Sequence, residues 1–92
     1  MKMTGGQALA HSLRIEGIDT LFALPGIQLD YLFDALWELR DEFTIYHTRH
    51  EQATGYMADG FARSTGKPAG FIVVPGPGVL NTTASLSTSY AC

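Results

Sequence analysis

Short apolar runs and longer amphipathic stretches take turns along this chain. DTLFAL (19–24), TIYH (44–47) and AGFIVV (69–74) are brief, apolar and bounded by turn residues, the pattern of buried strands. Between them the spacing becomes helical. GGQALAHSLRIE, with Thr4 as N-cap, places Ala8, Leu9, Leu13 and Ile15 near one face before Gly17 ends the helix. Residues 29–39 put Leu29, Leu32, Phe33, Leu36, Trp37 and Leu39 opposite Asp30, Asp34 and Glu38, a strongly amphipathic helix. A third helix runs from about 51 to 65 and Gly66 stops it. After Pro75-Gly76-Pro77-Gly78, the segment VLNTTASLSTSYA predicts one small-residue helix packed close to a neighbour.

The order α-β-α-β-α-β-α predicts an α/β fold of three layers, a parallel sheet with helices on both faces. Right-handed crossovers then bring all three strand ends to one rim. That rim carries Pro25-Gly26, His50-Glu51 and the loop 75–78. In open α/β sheets ligands bind outside the carboxyl ends of the strands. Glu51, an acid at the junction of a strand end and a helix start, is therefore the first candidate for chemistry.

With 92 residues the chain is one domain at most, and three strands leave an unpaired sheet edge. The segment 1–92 is expected to be a partial domain, the amino-terminal part of something larger that continues past Cys92. Net charge is −3, and six basic residues are scattered without a stripe, so nucleic-acid binding has no electrostatic footprint. The only cysteine, Cys92, allows no internal disulfide and fits a reducing cytoplasm. The opening MKMTGGQALAHSL lacks the pattern of a secretory signal, and no apolar run is long enough to cross a bilayer. The expected location is the cytoplasm, with no membrane partner.

Other chemistry is weakly supported. His47, His50 and Glu51 form H-x-x-H-E, but the histidines are three apart across a strand end, so no metal site is expected. Gly76-Pro77-Gly78 has Asn81 where a dinucleotide fingerprint needs its third glycine, and Pro77 removes a backbone donor. Ser85, Ser87 and Ser89 lack the G-x-S-x-G elbow of a hydrolase. Tyr56, Met57, Phe61 and Trp37 have the look of core or subunit-contact residues, and His11 of a structural one.

GIDTLFALPG, YHTRHEQATGYMADGFARSTGKPA and PGPGVLNTTASLSTSYA together resemble the amino-terminal pyrimidine-binding domain of thiamine-diphosphate-dependent enzymes, nearest the acetolactate synthase and pyruvate oxidase group. The resemblance implies that Glu51 is catalytic: it hydrogen-bonds N1′ of the aminopyrimidine and favours the imino tautomer, whose nitrogen can remove the thiazolium C2 proton. It implies cofactor contacts at Pro25, Gly26 and Ile27 from the first rim loop. Pro75, Gly78 and Asn81 join them from the third. It further implies a 2-oxo acid substrate, an active site between subunits of a homodimer or homotetramer, and Mg²⁺ held with the diphosphate by a domain absent from these residues. Whether FAD binds is left undetermined. Ile27 stands where aldehyde-releasing decarboxylases carry an acid, and Asn81-Thr82 where they carry a His-His pair, which favours a carboligase or oxidase type.

Burial under the cofactor is expected to raise the Glu51 pKa against the opposing pull of the helix start. An ordinary first-turn glutamate that stabilises a helix dipole is the plainer alternative for this residue. For the chain as a whole the alternatives are a noncatalytic dimerisation or docking module, and a nucleotide-binding α/β domain using the loop 76–78.

Overall fold

A computed structural model describes residues 2–91. Cys92, on which the redox expectation rests, lies outside the described residues. Five α-helices and three strands follow in the order α1 (Gly5–Ile15), β1 (Thr20–Ala23), a 3₁₀ turn (Ile27–Leu29), α2 (Asp30–Glu38), β2 (Thr44–His47), α3 (Glu51–Thr65), β3 (Gly70–Ile72), α4 (Pro77–Leu80) and α5 (Thr83–Ala91).

The sheet is parallel throughout, in the order β2-β1-β3. Register places Leu21 beside Ile45 and Gly70, and Phe22 beside Tyr46 and Phe71. Because side chains alternate along a strand, the two rows face opposite layers. Leu21, Ile45 and Ile72 pack with Ala10, Leu32, Ala35, Leu36 and Phe43 of the α1–α2 side. On the other side Phe22 stacks on Tyr46 at 5.4 Å and meets Phe61 of α3 edge-on at 6.2 Å. The step from β1 to β2 goes one way and the step from β2 to β3 goes the other. Right-handed crossovers therefore put α2 and α3 on opposite faces, which is the three-layer arrangement expected.

Local chemistry explains the element ends. The Thr4 hydroxyl accepts from the Gln7 backbone amide at 3.1 Å while Oε1 of the Gln7 side chain accepts from the Thr4 backbone amide at 2.9 Å, a complete capping box. Gly66 ends α3 in the left-handed region at φ 75°, where a Cβ would be strained.

Four expectations need correction. The packed face of α1 is Gly6, Ala10 and Leu13, not the face through Ile15, which is 77% exposed. A side chain at Gly6 would meet the Tyr31 carbonyl oxygen at 2.6 Å, so α1 and α2 approach backbone to backbone there. Of the two expectations for Trp37, Tyr56 and Met57, core or subunit contact, their exposure removes the core one, and Arg40 covers the Trp37 ring at 4.4 Å. Strand β3 is shorter than 69–74 because Val73 and Val74 leave the sheet for the following turn. The last helix is two helices. Thr82 is fully buried and its hydroxyl donates to the Val79 carbonyl at 2.6 Å, a local bond that competes with helix continuation and separates α4 from α5.

Helix α5 lies against α3. A Cβ on Gly55 would sit 1.9 Å from the Ser85 hydroxyl oxygen, and Ser89 donates to Asp59 at 2.5 Å. The free edge of β3 borders an open cavity of about 440 Å³ whose walls include Leu9 and Leu13 from α1 and Leu86 from α5. No helix among the described residues is long and apolar enough to cross a membrane.

Candidate functional site

The parallel sheet delivers the three expected loops to one rim. Thr48 follows β2, and its amide donates to the Ala23 carbonyl at the end of β1. His50 then takes extended backbone (φ −147°, ψ 142°) and becomes the N-cap of α3, its Nδ1 accepting from the Gln52 amide at 3.0 Å. A histidine in that position holds the first turn of α3, so Glu51 starts the helix with a fixed backbone. No group of three or more metal-ligating side chains converges among the described residues.

The third loop is built to bend sharply. Gly76 has φ 74° and ψ −122°, a conformation open to glycine. Pro77 occupies N1 of α4, where a missing N–H is harmless. That helix has only four residues, so it offers few free amides, and its proline offers none. Gly78 is buried, and a Cβ on it would meet Cγ2 of Val74 at 2.8 Å. The other methyl of Val74 faces the first loop: a Cβ on Gly26 would lie 2.4 Å from Cγ1. One valine thus fills the space between two glycines from different loops.

Glu51 and Asn81 form the second contact across the rim. Asn81 Nδ2 donates to Glu51 Oε1 at 3.1 Å, linking the start of α3 to the end of α4. Glu51 is half-buried, and its carboxyl lies below its ordinary value of 4.5. The largest cause is its own amide N–H at the helix start, followed by the donation from Asn81. The charge of His50 adds to them, and burial opposes. Donors that stabilise the charged form outweigh desolvation where the carboxyl still reaches water.

Of the sequence-derived candidates, Glu51 and Asn81 are brought into contact, and Gly26 and Gly78 meet through Val74. Pro25, Ile27 and Pro75 are exposed on the same rim, Ile27 at 85%. Sequence reasoning missed Val74 and the capping role of His50. The only signal for Val74 was an apolar residue directly before Pro75-Gly76, which many β-to-α turns share.

The family described as thiamine pyrophosphate enzyme, N-terminal TPP binding domain, matches residues 3–92. A probable 2-ketoarginine decarboxylase of Pseudomonas aeruginosa is 42% identical over 89 residues, covering 97% of this chain and 16% of the relative. The mitochondrial acetolactate synthase catalytic subunit of Saccharomyces cerevisiae is 35% identical, covering 97% of this chain and 13% of its own length. The acetolactate synthase large subunit of Haemophilus influenzae is 40% identical, with 97% and 15% covered. The chain therefore spans about one-sixth or less of each of these relatives. With its parallel α/β sheet and a match across residues 3–92, the chain belongs to the thiamine pyrophosphate enzymes, as their N-terminal TPP-binding domain.

Proposed function

We propose that this chain is the pyrimidine-binding part of a thiamine-diphosphate-dependent 2-oxo acid carboligase or decarboxylase of the acetolactate synthase type, in which Glu51 activates the cofactor at N1′. The observation that carries this is the Glu51 carboxylate, ionised at neutral pH, fixed at a helix start and held from one side by Asn81. Such a group fits an aminopyrimidine: an anionic acceptor opposite a ring nitrogen favours the protonated form of that nitrogen. When bound, the cofactor supplies the electron sink for the carbanion left by loss of CO₂. The protein's share is positional. Glu51 would accept a hydrogen bond from the protonated N1′, and Gly26 and Gly78 make room for Val74, which packs the first and third rim loops together beside it.

Mg²⁺ and the diphosphate are assigned to another domain, and the assembly to a homodimer or homotetramer with the site between subunits. The sheet supports a larger domain. Helix α5 shares the face of α3, so a right-handed crossover from β3 through α5 leads outward, past the free β3 edge. The apolar cavity on that edge, walled by α1 and α5, has the form of a slot for a further parallel strand.

The test is expression of the full reading frame with thiamine diphosphate and Mg²⁺, following CO₂ release from pyruvate and other 2-oxo acids. Glu51→Gln is expected to lose roughly a hundredfold or more, the scale of a positioned acid–base group. Retention of most activity in that variant refutes the assignment. Cofactor binding without turnover of any 2-oxo acid favours a noncatalytic module instead.

A further inference from the structure

Asn81 is exposed, yet everything around it is held. Its amide donates to the Pro77 carbonyl at 3.0 Å. The next residue, Thr82, is fully buried and bonded to Val79, and Gly78 is pressed against Val74. The break between α4 and α5 thus fixes the backbone from which the Asn81 side chain reaches a carboxylate 30 residues earlier. Asn81 is the one side chain among the described residues that hydrogen-bonds the Glu51 carboxylate.

We propose that Asn81 is a positioning residue whose role is to aim the Glu51 carboxylate, rather than a residue that itself contacts the cofactor. The inference rests on the role proposed for Glu51, but its first test does not. A glutamate has three rotatable bonds, and at a half-exposed site an unheld carboxylate samples several rotamers. The competent fraction falls, and apparent affinity and rate fall with it. A neutral amide suits this task, because it donates a hydrogen bond to the carboxylate without neutralising it or competing with the ligand for its charge.

Two measurements on the protein from the full reading frame test the proposal. In the absence of cofactor, the Glu51 carboxyl is titrated by ¹³C NMR in the parent, in Asn81→Leu and in Asn81→Asp. The Leu variant removes the donor at similar volume and moves the midpoint upward. The Asp variant sets a second carboxylate against the first and moves it up further. With thiamine diphosphate and Mg²⁺, the rate of C2 proton exchange of the cofactor is followed by ¹H NMR. Asn81→Leu slows it about tenfold, the scale of one hydrogen bond to a charged group. In the Glu51→Gln background the same substitution adds little, because its effect passes through Glu51. An unchanged titration midpoint in both variants overturns the proposal, as does an undiminished tenfold loss on top of Glu51→Gln. If the midpoint moves but Glu51→Gln leaves exchange intact, Asn81 does aim Glu51, and the cofactor role of Glu51 is what fails.

Discussion

Replacing Gly55 by alanine should destabilise the protein although it replaces a helix-interior glycine. Intrinsic propensity favours alanine there by about 1 kcal/mol. Against this, the new Cβ would stand 1.9 Å from Ser85 Oγ and 2.8 Å from Ser85 Cβ. Rotating the hydroxyl away breaks its donation to the Thr82 carbonyl, which is worth about 1 kcal/mol, and leaves the Cβ clash untouched. Helix α5 must then move, an overpacking cost of about 1–3 kcal/mol. The net is a loss of about 1–3 kcal/mol, or roughly 4–24 °C in Tm for a domain of this size. Thermal unfolding followed by far-UV circular dichroism measures it. Two controls sharpen the sign. Gly60→Ala lies in the same helix with nothing within 4 Å, and should stabilise by about 1 kcal/mol. In a Ser85→Gly background, Gly55→Ala should turn stabilising, because both clashing atoms are gone. If Gly55→Ala stabilises the parent protein, the close approach of α3 and α5 is wrong.

Two further outcomes test the seam and the rim. Asp59 sits below its ordinary value of 3.8, chiefly through the Ser89 hydroxyl and then through Arg63, so the stability it contributes is present above that value and is lost as pH falls through the lowered one. Ser89→Ala should raise the Asp59 midpoint and shift acid unfolding to higher pH; a superimposable acid limb would contradict this. Gly26→Ala should destabilise by about 1–3 kcal/mol through space alone, since Gly26 has extended backbone (φ −159°) that any residue adopts. Adding Val74→Ala should restore part of the loss in a chemical denaturation series, and a strictly additive pair would show that Gly26 and Val74 do not touch.

The alternation of apolar runs and amphipathic stretches was enough to read the layers, the strand 44–47 and the helix 51–65, because each is set by local period and by punctuating glycines. Glu51 was legible for the same reason: its place at a strand-to-helix junction is a property of the order of elements. What escaped is what depends on contacts between distant segments. The break at Asn81-Thr82 contains neither glycine nor proline, and is marked by a buried threonine hydroxyl bonded back to the Val79 carbonyl. The face of α1 was misjudged because Gly6 and Ala10 are small, and their importance lies in how near α2 can come. The Glu51–Asn81 contact joins residues 30 apart, a pairing that no spacing rule announces.

The two contacts that assemble the rim join residues far apart in sequence: Glu51 to Asn81, and Gly26 to Val74. Neither can form until β1 and β3 are already side by side and α3 is docked. Closing such loops is entropically slow, so the rim belongs to the late part of folding and opens early when the domain loosens. No half-folded chain carries a half-working rim. Amide exchange at Gly76 and at residues 78–81 should therefore be faster than at the β1 amides, and loss of the Glu51–Asn81 contact should precede visible unfolding.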